Sequence, residues 1–323
     1  MKRLARYLPG LTAAAVLATT LVAGTAAAQP STPTTKTVAA GMRLKFDNIA
    51  DAPGTCTLGA VGTDATGRKI GITAGHCNRP PTKSPYPGVT KRVVDPTNNH
   101  PVWDWRDLAA GPIGYIRYVS ADDTDGSDLA AQLEYYKQNI DYMVIEFADN
   151  VELSSTIMTV PKYGPKAGGA AYDPPNDYAP GTVVTPSVPW GKVNAIYSDS
   201  SGNPAVPPQG GIFTPTEMCH AGAITQQQNS QNNQPDSARC GVIYHVENQN
   251  MYTSGFIQPG DSGGPVWVKN QFNKWAGITS WVRAQLTPLP GVYYVYTSAK
   301  KILDDMNSKA AGFPGKGFQI TNN

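Results

Sequence analysis

The 323 residues carry a formal charge of +2, only 15% of them are charged, and glycine and proline number 32 and 28. That balance gives no charge argument for nucleic acid or an anionic membrane surface as partner. So many turn residues with so little helix signal point to an all-β protein, long enough for two core-forming units.

The chain starts with a basic segment (Lys2, Arg3, Arg6), an apolar run from about Leu11 to Ala23 and the small-residue site Ala26–Ala28. This is the pattern of a secretory signal peptide, 1–28, cleaved after Ala28. The apolar run is short for a membrane span, and no later stretch is long and apolar enough to be one. Removing the three basic residues leaves a mature chain of charge −1. The expected location is extracellular, with no membrane partner after cleavage and a monomer as the default state. Residues 29–45, rich in Pro and Thr, read as a flexible leader.

Strand-like runs then alternate with turn signals. "TCTLGAV" and "RKIGITAG" flank the turn "GTDATG", and "IGYIRYV" and "YMVIEFA" follow. These place a first β-unit at 46–158. A second, 159–323, begins with a Pro/Gly-rich insert, 161–211, that contains ten prolines. It continues through "MCHAGAI", "CGVIYHVE", "GPVWVKN", "WAGITSWV" and "GVYYVYT". The Gln/Asn tract 226–234 reads as a surface loop. Only the tail reads as helical: Ile302, Leu303 and Met306 share one face of a helix at about 298–309, with Ser298 as N-cap. The acidic run "DDTDGSDLAAQ" fails the calcium-loop register, since Ala121 and Gln132 stand where ligands are needed. No metal or cofactor is expected.

Four cysteines in an exported chain predict two disulfides among Cys56, Cys77, Cys219 and Cys240, with three pairings open. A zinc site built on Cys56, His76 and Cys77 is disfavoured, because no C-x-x-C spacing is present.

The stretch "QPGDSGGP" sets Ser262 among three glycines. Glycine lets the backbone bend and a ligand approach closely, and such a bend can aim several N–H groups at one point. A nucleophile there needs a base. Of four histidines, His76 in "ITAGHC" follows a β-rich run and precedes a cysteine that can fix its backbone. The base needs a carboxylate to orient it. Asp141, at the mouth of the apolar run Tyr142–Ile145, is the first candidate, with Asp104 and Asp107 as fallbacks.

"TAGHC", "DYMVIEF" and "GDSGGPV", in this order, resemble the trypsin/chymotrypsin-like serine peptidases, in particular their secreted bacterial branch. The resemblance runs from about Cys56 to the final helix, strong at the three motifs and diffuse between them. It implies two six-stranded antiparallel β-barrels with a C-terminal helix. It implies His76 as general base, Asp141 as its orienter and Ser262 as nucleophile. The N–H groups of Gly260 and Ser262 would form the oxyanion hole. The implied bridges are Cys56–Cys77 and Cys219–Cys240. The implied substrate-binding positions are Phe256, Gln258, Ser280, Trp281, Val282 and Gly291, with Ser280–Val282 adding a protein or peptide substrate as a β-strand.

The chain also departs from the family pattern. A third disulfide near the nucleophile is missing. Phe256 stands at the pocket-floor position and cannot pair with a cation, while Val282 replaces a wall glycine. Cleavage after a small or medium apolar residue is therefore expected. His220 stands where the bacterial branch often has an arginine, and is expected to pair with Asp261 and hold the oxyanion loop. A triad-bearing binding protein and an esterase are the alternatives from other functional classes.

Overall fold

The computed structural model describes residues 35–46, 55–77, 100–120, 140–158, 162–163, 183–185, 188–226, 238–285 and 291–323, without side chains for 162–163, 183–185, 281–285 and 291–292. The expected signal peptide, the acidic run 121–132 and most of the Gln/Asn tract lie outside these residues. No helix among the described residues is long and apolar enough to cross a membrane.

The first strands are β1 (Lys36–Ala39), β2 (Arg43–Lys45), β3 (Thr55–Thr57), β4 (Ala60–Thr63), β5 (Lys69–Thr73), β6 (Pro101–Asp104), β7 (Gly114–Val119), β8 (Met143–Phe147) and β9 (Val151–Ser154). One sheet runs in the order β4-β5-β8-β7-β6-β2-β3. β4 and β3 are a single bent piece of chain, for only Leu58 and Gly59 separate them, and the sheet continues past β4 to Gln319–Ile320. Leu58 N–H donates to the Met42 carbonyl on one side, and Gly59 N–H to the Ile72 carbonyl on the other, at 2.8 and 2.7 Å. Counting β3–β4 as one strand, six strands curl into a barrel. Gly59 is obligatory at the corner: a Cβ there would lie 2.3 Å from the Gly263 carbonyl and 2.4 Å from Ile278. Leu58, Ile70, Ile72, Ile116, Val144 and Ile145 are buried in one core, and β8 is buried on both faces at Val144 and Ile145.

The second barrel is closed. Its strands are β10 (Glu217–His220), β11 (Arg239–Glu247), β12 (Asn250–Thr253), β13 (Pro265–Val268), β14 (Gly277–Gln285) and β15 (Gly291–Ser298), ordered β10-β11-β12-β15-β14-β13. Every pairing in it is antiparallel. The run read as the strand "MCHAGAI" is strand only to His220; residues 223–226 make a helical turn. Helix α1 (Ala299–Ser308) follows, and the Ser298 hydroxyl accepts the Lys301 N–H.

Two boundaries differ from the sequence reading. The supposed flexible leader is ordered from residue 35 on, because β1 pairs in parallel with β9 and buries Val38 completely. The threonines and Val38 of "TKTVAA" suit a strand, but only the partner strand, far off in sequence, makes it one. The tail, assigned to the second unit, belongs with the first. Ala299, Ile302, Leu303, Met306 and Phe318 join the first barrel's core, and Gln319–Ile320 pairs with β4. The insert is also less loop-like than its prolines suggest. Pro189–Lys192 pairs with Thr156–Met158, Ala195–Ile196 pairs with Lys274–Trp275, and Val193 is buried.

Candidate active site

β5 ends at Thr73, and the chain turns through Gly75–Cys77. Cys77 is bonded to Cys56 on β3, so the turn carrying His76 is fixed at one side. Because those two sulfurs are bonded to each other, they are not thiolates available to a metal. Gly75 lets the turn approach β8: a Cβ there would lie 2.8 Å from the Tyr142 carbonyl and 3.2 Å from Asp141 Oδ1.

Asp141 lies just before β8, 7% exposed. Its neighbours are tied down by Ser120, whose Oγ donates to the Ile140 carbonyl at 2.5 Å and accepts the Tyr142 N–H at 2.8 Å. The carboxylate accepts the backbone N–H of His76 at 2.9 Å and the ring Nδ1–H at 2.8 Å. It also accepts the Ser280 hydroxyl. Ser280 can reach it because β14 shifts register against β15 between Thr279 and Trp281, and a bulge of this kind re-aims a side chain. Burial alone would raise the Asp141 pKa. The His76 charge, the His76 ring hydrogen bond, the Ser280 hydroxyl and the His76 N–H outweigh burial and hold it at about 2.

A carboxyl depressed in this way stabilises the fold fully above its ordinary range, and the contribution is lost as pH falls through the folded value. The stability gap between wild type and Asp141→Asn is expected to narrow by roughly 2 kcal/mol from pH 5 to pH 2. Urea unfolding at several pH values measures it, and a constant gap would contradict the assignment. The fallback acids lie elsewhere: Asp104 pairs with Arg106, and Asp107 caps the turn Leu108–Ala110.

The serine loop is two successive turns. Asp261 N–H donates to the Gln258 carbonyl across Pro259–Gly260, and Gly264 N–H to the Asp261 carbonyl across Ser262–Gly263, both at 2.9 Å. Gly260 and Gly263 take φ of +97° and +84°, which explains the glycines at the third position of each turn. The loop docks on the first barrel. Thr57 N–H donates to the Ser262 carbonyl and Thr57 Oγ1 to the Gly260 carbonyl, each at 2.8 Å. A Cβ on Gly263 would lie 2.0 Å from Thr73 Oγ1 and 2.8 Å from Ala74 N. Ser262 is thereby set beside the residues that lead into His76. The N–H groups of Gly260 and Ser262 have no partner among the described residues.

Asp261 is fully buried beneath this loop. One oxygen accepts the N–H groups of Ile224 and Thr225 at 3.0 and 2.9 Å; the other accepts the Gln258 N–H at 3.0 Å and the Thr225 hydroxyl. His220 faces Asp261 at ion-pair distance, as expected, but no hydrogen bond joins them. His220 is fully buried, its Nδ1 bonds the Tyr296 hydroxyl at 2.8 Å, and its Nε2 stays 3.9 Å from Asp261. The helical turn 223–226 does the anchoring. It needs Gly222, where a Cβ would lie 2.0 Å from the Asp261 Cγ.

Phe256 is half exposed, its ring edge-on to Tyr294 at 5.4 Å. Gln258 is held through its N–H on Asp261. Trp281 and Val282 pair with Val295 and Tyr294, and Gly291 with Gln285. On its other side β14 is paired to β13 at Gly277 and Ile278, and among the described residues its outer half is an edge. The second bridge, Cys219–Cys240, joins directly opposite residues of β10 and β11.

The family model described as Trypsin matches residues 191–303. No curated protein matches the chain. Among solved structures, Thermobifida fusca protease A is similar at 14% identity and a TM-score of 0.43, over 89% of this chain and 100% of that one. Nocardiopsis protease (NAPase) is similar at 14% identity and a TM-score of 0.43, over 88% and 100%. Cellulomonas bogoriensis chymotrypsin is similar at 16% identity and a TM-score of 0.40, over 83% and 95%. Two six-stranded barrels with a terminal helix make the trypsin-like serine protease fold, and the match to the trypsin family model covers residues 191–303, which span the closed barrel and Ser262.

Proposed function

We propose that the protein is an exported serine endopeptidase working through an acyl-enzyme. Ser262 attacks the peptide carbonyl. His76 takes its proton and returns it to the leaving amine, and Asp141 holds His76 in the required tautomer. The N–H groups of Gly260 and Ser262 receive the oxyanion. The observation that carries this reading is the buried Asp141 carboxylate, which accepts both the backbone and ring N–H of His76. The unpaired edge of β14 beside the serine loop supports strand addition of a peptide. The half-exposed Phe256 ring and the lack of an acid at that position favour an apolar residue before the scissile bond. The two disulfides fit an extracellular site of action.

A fluorophosphonate probe tests the reading. One adduct per chain, located on Ser262 by peptide mass mapping, is expected at neutral pH. No adduct between pH 5 and 9 would overturn it in favour of a binding protein. Rapid ester turnover without peptide turnover would instead favour an esterase. Gly222→Ala should slow labelling by about 10²-fold or more, because the new methyl displaces Asp261 and with it the oxyanion loop. Labelling at the wild-type rate would show that the loop does not depend on this anchor.

A further inference from the structure

From the end of the insert to the second barrel, the chain carries no charge between Asp199 and Glu217. Its residues 208–215 are eight consecutive exposed positions. At their tip Ile212 and Phe213 are 94% and 95% exposed, whereas the next most open large apolar side chain among the described residues, Val188, is 51% exposed. Forgoing burial of two such side chains gives up several kcal/mol, so the fold itself has no use for them there.

The hairpin is fastened at its base and barely within. Val206 packs on the second barrel's core, and the Thr216 carbonyl accepts the Ile243 N–H at 2.9 Å. Above that, the turn is closed by Thr214 N–H on the Gly211 carbonyl at 3.1 Å, Thr216 N–H on the Gln209 carbonyl at 3.2 Å and the Gly210–Pro215 bridge. Opening it breaks a few exposed hydrogen bonds and uncovers no core, which is the profile of a site of proteolytic nicking. Extended, eight residues reach about 27 Å. No proline lies between Gln209 and Thr214, so each residue there keeps the N–H that strand addition requires.

We propose that a second copy of this chain cuts this tip, at the bond after Ile212 or after Phe213. The step rests on the endopeptidase reading and on apolar specificity. Water is the co-reactant. The carbonyl carbon of Ile212 or Phe213 gains a hydroxyl, the C–N bond breaks, and the amine of the next residue takes the proton. The cut leaves His76 and Asp141 on one fragment and Ser262 and Ser280 on the other. Both disulfides lie within a fragment, Cys56–Cys77 on the first and Cys219–Cys240 on the second. The halves are then joined by non-covalent contacts alone, including Thr57 with Gly260, Ser262 and Ala223, and Ser280 with Asp141.

The test mixes full-length Ser262→Ala protein with one part in a hundred of wild type and follows intact mass. Two fragments split after Ile212 or Phe213 are expected. They should separate on a denaturing gel without reductant and co-elute in gel filtration. Adding Ile212→Asp and Phe213→Asp to the Ser262→Ala protein should slow their appearance at least tenfold. The same pair in the wild type should leave casein digestion unchanged. An uncut Ser262→Ala chain, or cuts only elsewhere, while wild type digests casein, would overturn the proposal and leave the endopeptidase reading standing. Failure to digest casein together with no fluorophosphonate adduct would overturn both.

Discussion

Ser262→Ala is expected to lower kcat for peptide hydrolysis by about 10⁶-fold while leaving unfolding free energy within about 0.5 kcal/mol of wild type. The two readouts separate chemistry from fold. The contact that docks this residue on the first barrel is its carbonyl, which accepts the Thr57 N–H at 2.8 Å, and alanine keeps it. The turn around it is set by Gly260, Gly263 and Asp261, none of which changes. What disappears is the nucleophile. The remaining rate over water would come from the oxyanion donors and substrate binding, which persist when a nucleophile is removed. A loss below tenfold would mean that Ser262 does not carry the reaction. A stability loss above about 2 kcal/mol would mean the hydroxyl is structural.

Asp141→Asn is expected to cost about 10⁴-fold in kcat with KM little changed. The reason lies in which atom faces which. Oδ1 accepts the His76 backbone N–H, and Oδ2 accepts the ring Nδ1–H and the Ser280 hydroxyl. An asparagine has one acceptor atom and one donor atom. Keeping its oxygen on the backbone N–H turns its amide NH2 towards Nδ1. The ring must then accept at Nδ1 and carry its proton on Nε2, where it cannot take one from Ser262. Stopped-flow kinetics with saturating substrate measures kcat directly. A loss confined to KM would assign Asp141 to substrate binding instead of to the orientation of His76.

Ser262 and His76 are legible in the sequence because each sits in a short glycine-marked turn next to a strand signal. Asp141 is harder to single out, since the chain has 24 carboxylates and only its place at the mouth of an apolar run separates it from Asp104 and Asp107. The supporting residues are not legible at all. Ser120, Gly222 and Thr225 act through hydrogen bonds or close approaches to residues 20 to 39 positions away, and nothing local marks them. The same holds for β1, whose threonines read as loose chain until β9 lies beside them, and for Phe256, whose place in the motif says nothing of its exposure. The barrel strands were readable from alternation; the return of the tail to the first barrel was not, because burial on α1 fixes a face and not a partner.

Thr57 joins Gly260 across 203 positions, and Ser280 joins Asp141 across 139. Loop closure over such distances comes late in folding, after the local pairings of each barrel. A chain emerging in order can pair the strands that set His76 against Asp141, but the first barrel's core waits for the tail, which follows Ser262 in the sequence. On the proposed reading, hydrolytic power is therefore the last property acquired, only after the whole chain has emerged and the two barrels have met.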